Sequence, residues 1–352
     1  MFKTINALRG LFAIVIVLYH SQIYCLESAS MLGVSFFLVA SGFLLTVRHR
    51  HAFDKATAGD WWRFWWRRAC RIYPIHWIAL AMMVFLIVVV EHKGHTIEWP
   101  VLACVATLTQ PWVPIKDYFF GINSISWFLG ALLFCYACFP AIDRWYSRLR
   151  LRWQVLFLTS LMLLLTFGLP MLSSHMRLYT YVCPAVRLGD FLVGVTAGNI
   201  YLKVKNTPRN YSTLKSTLIE AAIVLIVVEV LLINLVTDTV DTWDRYLVWW
   251  IPVALLVFAS AMLSDHEGWL GRLLLLRPLQ WLGKVSFEVY IFQTVVAIIV
   301  NYTVSPLLGH FGIMAYDKYL YSQLPLLLLL AGVMHWLRSK PRRAAVASPN
   351  PS

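Results

Sequence analysis

Apolar residues run along this chain in long blocks, and polar residues gather in the gaps between them. Ten blocks stand out, near 5–24, 32–47, 74–91, 121–141, 153–172, 183–202, 217–236, 246–264, 285–305 and 320–337. A helix rises about 1.5 Å per residue, so about 20 such residues cross a hydrocarbon core of roughly 30 Å. In lipid the backbone must satisfy its own hydrogen bonds, which makes the helix the element for such blocks. The pattern predicts an all-α integral membrane protein, a bundle of about ten transmembrane helices. A further apolar stretch, "WPVLACVATLTQPWV" at 99–113, is short and holds Pro100 and Pro111, so it is expected to be re-entrant or interfacial. In the polar segment 48–73, Trp61, Trp62, Trp65 and Trp66 are interleaved with Arg63, Arg67, Arg68 and Arg71. Indoles favour the headgroup level and arginines the water beside it, which predicts an interfacial amphipathic helix.

Composition excludes a soluble globule. The 352 residues are 60% hydrophobic and 13% charged, against roughly 25% charged in soluble domains. The net charge is +13, and its placement explains it. With the N-terminus in the cytoplasm, 24 of the 30 Lys and Arg residues fall in inner segments and six in outer ones. The positive-inside rule then predicts both termini inside and an even number of spans. The charge belongs to topology, and no nucleic-acid partner is expected. The first block is not expected to be a cleaved signal peptide, since no small-residue site follows it. Residues 1–338 are expected to form one transmembrane domain, and 339–352 ("SKPRRAAVASPNPS") a disordered cytoplasmic tail. Cys135 and Cys138 form a CxxC inside an apolar run with no second pair, which points to helix packing. No HExxH, P-loop or Gly-x-Ser-x-Gly motif occurs, and the scattered histidines predict no metal site.

Ionisable groups inside the blocks are the candidates for chemistry. In "LRGLFAIVIVLYH", Arg9 and His20 lie eleven residues apart. That is about three turns plus 20°, so both share a helix face, roughly 16 Å apart along the axis. Such a pair either lines a bundle interior or reaches separately to the two interfaces. Arg68 and Arg71 in "RRACRIYP" share a face at the inner surface. They suit phosphate, and equally suit topology and anionic lipid. Ser35, Ser41 and Gly42 in "VSFFLVASGF" suit close helix packing. Ser126 and Trp127 end the fourth block, where an aromatic belt accounts for the indole. Arg187 and Asp190, three apart, can pair with each other. Glu288, in "WLGKVSFEVYIFQT" with Tyr290, needs a partner that the sequence does not name.

Six of these motifs, in this order, resemble the acyltransferase-3 family of integral membrane acyltransferases. They are "LRGLFAIVIVLYH", "GVSFFLVASGFLL", "RRACRIYPIHW", "SISWFLGALLFCYACFP", "PAVRLGDFLVG" and "LGKVSFEVYIFQT", and they cover nearly the whole chain. The resemblance implies an O-acyltransferase of the bacterial inner membrane. It would move an acyl group, typically acetyl, from cytoplasmic acyl-CoA to a polysaccharide or lipid-linked saccharide. Acetyl-CoA would be a donor substrate, with no cofactor bound permanently. By the same resemblance Arg9 and His20 match the Arg-x10-His signature, and Arg68 and Arg71 match the Arg-x-x-Arg element tied to acyl-CoA. Ser41, Ser126, Trp127, Arg187, Asp190, Glu288 and Tyr290 are then candidates to line the site. His20 would act as general base, and Arg9 would hold the donor or stabilise developing negative charge. Direct transfer is expected over an acyl-enzyme, for which Ser126 is a candidate hydroxyl. The chain departs from many members at Leu132 and Leu133, where one or two glutamates are usual, and at Gln293, where histidine is usual. The esterase-like C-terminal domain of some relatives has no counterpart, which implies a stand-alone transferase. The alternative from another class is a carrier of acyl groups or lipid-linked sugars that leaves chemistry to a partner.

Overall fold

The structure, a computed structural model, describes residues 2–21, 23–168, 171–207, 211–236, 242–304 and 322–339. The described residues form helices and connecting turns, with no strand among them. In chain order the helices begin with α1 (Lys3–His20), α2 (Glu27–His49), α3 (Ala58–Phe85), α4 (Trp99–Thr107) and α5 (Lys116–Phe119). Next come α6 (Trp127–Arg144), α7 (Leu151–Gly168), α8 (Ser174–Val182), α9 (Pro184–Val204) and α10 (Thr213–Val236). The last are α11 (Trp250–Met262), α12 (Trp269–Leu274), α13 (Arg277–Ile299) and α14 (Leu324–Ser339).

Each of the ten apolar blocks holds a helix, but not every one is long enough to span. Seven helices among the described residues are long and apolar enough to cross a membrane, and α8 with α9 forms an eighth candidate bent by 47°. The apolar helices Tyr246–Met262 and α14 are shorter. At 1.5 Å per residue, the 16 residues of α14 reach about 24 Å, short of a 30 Å core. The count of ten is therefore not fixed by helix length. α4 has nine residues, too few to span. The residues of the expected tail beyond Ser339 lie outside the described set.

The arginine–tryptophan segment and the third block form one helix rather than two. α3 runs 28 residues without a break at Pro74 and continues through a π-helical turn, Leu86–Val90. It starts where it does because Thr57 and Asp60 form a capping box, each side chain accepting from the other's backbone N–H. Pro74 removes one backbone donor, but its fixed φ is helical, and inside a bundle that loss is tolerated. The consequence is that Arg68 and Arg71 stand on the same rigid rod as the span itself.

Two helix pairs form the centre. α2 lies along α9, and α1 along α13. Small residues set these approaches. A Cβ on Gly194 would collide with the Val39 carbonyl, and one on Gly283 with the Asn6 carbonyl. Bare backbone at these points lets the helices touch, the usual basis of association where lipid removes the hydrophobic drive. Gly42, expected from sequence to serve packing, abuts the Phe191 carbonyl in the same interface. Asn6 Nδ2 donates to the Gln280 carbonyl (3.0 Å) and Gln280 Nε2 to the Lys3 carbonyl (2.8 Å), which stitches α1 to α13. By contrast α7 and α10 bury almost none of their apolar surface, as suits helices whose solvent is lipid.

Candidate functional site

The central packing leaves one arginine-rich cavity, about 900 Å³ with its open mouth included. Five helices and the end of a sixth build it: Arg9 from α1, Phe37 and Ser41 from α2, and Arg68, Arg71 and Ile72 from α3. Phe128, Leu132 and Tyr136 come from α6, Ser286, Phe287 and Tyr290 from α13, and Arg338 from α14. Helix spacing places these residues. Phe37 and Ser41 are one turn apart, as are Phe128, Leu132 and Tyr136, so each helix offers a single stripe.

Guanidiniums and aromatic rings line the cavity together, and some are stacked on one another. Phe37, Phe128 and Tyr290 meet edge-on or tilted, with centroids 5.4–6.4 Å apart, and form an apolar end. The Tyr290 hydroxyl donates to the Ile125 carbonyl at 2.9 Å, which fixes that ring. Four guanidinium groups share the lining. Arg9 and Arg71 make no hydrogen bond or ion pair among the described residues. Arg68 lies 3.3 Å from His49 Nε2 and over the rings of Phe64 and Tyr136, at 5.2 and 5.8 Å. Arg338 reaches Glu288 Oε1 at 3.0 Å, and His335 Nδ1 approaches the same oxygen at 3.4 Å. Glu288 is fully buried, so these two α14 residues are the partners that its sequence position demanded. Arg338 lies some fifty residues downstream of Glu288, and nothing local in the sequence announces it.

The wall that α6 presents is apolar. Leu132 lines the cavity, while Leu133 is buried and its carbonyl accepts from Trp65 Nε1 at 3.3 Å. With no carboxylate on that wall, the cavity offers four guanidiniums against the single buried Glu288. Such a site selects anions, and guanidinium forks match phosphate oxygens in particular.

The other sequence candidates lie elsewhere. His20 is exposed at the end of α1, its ring 5.1 Å from that of Tyr19, and it does not line the arginine cavity. Beside it Ser21 Oγ donates to Gln323 Oε1 (2.9 Å), and Gln323 Nε2 donates to the Gln293 carbonyl (3.4 Å). Gln293 follows Tyr290 by one turn of α13, so this chain sets the end of α1 about a turn beyond the aromatic end of the cavity. The Gln293 side chain is buried, and neither amide atom finds a partner among the described residues. Ser126 is also buried. Its Oγ donates to the Asn123 carbonyl (2.7 Å) and accepts from Gln110 Nε2 (3.0 Å), which holds a turn. Arg187 and Asp190 are fully buried and paired at 3.2 Å. The Arg187 guanidinium is sandwiched between the rings of Tyr181 (4.2 Å) and Tyr246 (4.3 Å), with Trp127 at 5.7 Å. None of Ser126, Trp127, Arg187 and Asp190 lines the arginine cavity.

A family model described as an acyltransferase domain, that of acyltransferase-3, matches residues 2–336. The chain belongs to this acyltransferase-3 family. The match runs from the start of α1 into α14, so every wall of the arginine cavity except Arg338 falls inside the matched region. Acyltransferase MdmB of Streptomyces mycarofaciens is 30% identical over 122 residues, which is 34% of this chain and 29% of that protein. No solved structure matches the chain. With this family membership and this helix set, it is a multi-pass membrane protein.

Proposed function

We propose that this acyltransferase moves an acetyl group from cytoplasmic acetyl-CoA to a hydroxyl of an exported or cell-surface polysaccharide or glycolipid. The setting is the bacterial inner membrane, with both termini inside, the side on which most of the arginines lie. The observation that supports this most is the cavity of four guanidiniums ending on an aromatic floor. Coenzyme A carries phosphates at one end and a slender thioester arm at the other. Arg9, Arg68, Arg71 and Arg338 hold the phosphates, and the arm lies past Ser41 and Tyr136 toward Tyr290.

His20 is the general base of this reading. Neutral imidazole takes the acceptor hydroxyl's proton as the oxygen attacks the thioester carbonyl. The C–S bond breaks, and the CoA thiolate leaves and is protonated. The acceptor enters from the His20 end, and the thioester reaches it past the aromatic floor. Ser126, committed to a turn and outside the cavity, fits direct transfer better than an acyl-enzyme. His20→Ala is expected to insert normally and to lose at least about 100-fold in transfer rate, the usual scale of a general base. Full activity in a well-folded His20→Ala removes that role.

The decisive assay uses purified protein in detergent, radiolabelled acetyl-CoA and a saccharide acceptor. Labelled product without any partner protein is the expected result, and its absence with folded protein favours a carrier. In the same assay Arg338→Ala is expected to raise KM for acetyl-CoA about tenfold, the scale of one charged hydrogen bond. Arg338→Lys should restore part of that. An unchanged KM in Arg338→Ala would place the group outside donor binding.

A further inference from the structure

We infer that the groove beside the arginine cavity seats the nucleotide end of the donor and reads its 3′-phosphate through Lys55 and Arg67. This rests on acyl-CoA being the donor. The groove encloses about 1140 Å³, open face included, between the 50–57 turn and the first turns of α3. It shares a wall with the arginine cavity. Arg68 lines the cavity, while His49, 3.3 Å from its guanidinium, and Phe64, under that guanidinium at 5.2 Å, line the groove. Arg68 thus stands at the boundary of the two spaces, within reach of a ligand on either side.

The groove is built for an anion. Lys55, Arg63, Arg67, His49 and His51 face it, against two carboxylates, Asp54 and Asp60. Both carboxylates are already committed. Asp60 Oδ2 accepts from the Thr57 N–H (2.9 Å) and hydroxyl (2.8 Å). Asp54 is held by Arg148 (2.8 Å) and His51 (3.4 Å). Arg63 leans on Asp60 at 3.5 Å. Lys55 and Arg67 have no ion-pair partner among the described residues, and both are exposed. The floor is also fixed in advance. Buried Asp143 accepts from the backbone N–H groups of His51 (3.2 Å) and Phe53 (3.3 Å). The Phe53 ring packs on Phe64 and Phe139, with centroids 5.1 and 5.9 Å away. The backbone that carries Lys55 is set before an anion arrives, so the Lys55 and Arg67 side chains are what must order on binding.

The donor's chemistry matches two adjoining anion sites. Coenzyme A bears a pyrophosphate between arm and nucleoside, and a separate 3′-phosphate on the ribose beyond it. The cavity's guanidiniums account for the first and the groove's free cations for the second. A phospholipid headgroup could also neutralise Lys55 and Arg67, but it would not discriminate between two donors.

The test compares acetyl-CoA with acetyl-3′-dephospho-CoA as donors for the purified protein. Wild type is expected to favour acetyl-CoA in kcat/KM by on the order of tenfold or more, the scale of charged hydrogen bonds to one phosphate. In the double variant Lys55→Ala/Arg67→Ala that ratio should fall toward one, while Lys55→Arg/Arg67→Lys keeps most of it. Adenosine 3′,5′-bisphosphate should inhibit wild type and act more weakly on the alanine variant. Equal use of both donors by wild type, or a full ratio in the alanine variant, overturns the inference and leaves the donor reading standing. Transfer from neither donor by folded wild type ends the donor reading, and this inference with it.

Discussion

Replacing Arg9 with alanine is expected to abolish most transfer, by about 100-fold or more, while leaving the fold as stable as before. The two halves of this expectation come from one fact. Arg9 lines the cavity yet makes no hydrogen bond or ion pair among the described residues. A guanidinium that holds nothing in the folded chain contributes little to stability, and here it stands among three of its own kind. Its removal also spares the cost of a half-buried cation with no ion pair. The same absence makes it available to a ligand. Loss of one preorganised cation facing phosphate or developing negative charge costs about 2.7–4 kcal/mol of transition-state stabilisation, the scale of a lost oxyanion donor. The measurements are a melting curve in detergent and a transfer assay on the same preparation. A variant that melts early and loses activity together would make Arg9 a structural residue. Arg9→Ala with wild-type kcat/KM would remove it from the site.

The largest expected effect on stability lies at Asp190. Asp190→Ala would leave the Arg187 guanidinium buried with no counter-charge. Breaking a buried pair from one side costs about 3–5 kcal/mol, because the remaining ion stays desolvated. The Tyr181 carbonyl, 2.6 Å from Arg187 Nε, and the flanking rings of Tyr181 and Tyr246 soften that cost without cancelling it. Replacing both, as Arg187→Met/Asp190→Leu, should recover much of the loss, since apolar side chains of similar volume need no counter-charge. Unfolding of the two variants in detergent measures the difference. Asp190→Ala melting with wild type, or the double variant melting lower than Asp190→Ala, would mean that the buried pair is not a source of this stability.

Much of this was legible in sequence, because lipid enforces a simple grammar. Every block of about twenty apolar residues became a helix, since no other element satisfies its backbone there. The contribution of Gly42 to packing was likewise readable from its place in an apolar run. The boundaries of α3 were not. Trp–Arg alternation and Pro74 suggest a surface helix that ends before the span, yet the capping box at Thr57 and a φ already helical at proline carry one rod through both. Long-range partners were also hidden. Glu288 inside an apolar block demands a cation, but Arg338 and His335 meet it only through the packing of α14 against α13. The gathering of Arg9, Arg68 and Arg71 follows from three helices converging, which spacing within any one of them cannot express. Helix arithmetic put Arg9 and His20 on one face, and the structure adds that only Arg9 faces the cavity.

The convergence of α1 and α14 on one cavity has a consequence for how the protein is made. Arg338 is added 329 residues after Arg9. At about 5–20 residues per second, synthesis separates them by on the order of 20–60 s. Glu288 waits through the last fifty of those residues for Arg338, and until then the cavity lacks a wall. The anion-selective cavity therefore comes into being only when the last helix docks, so a partly made chain presents no finished site.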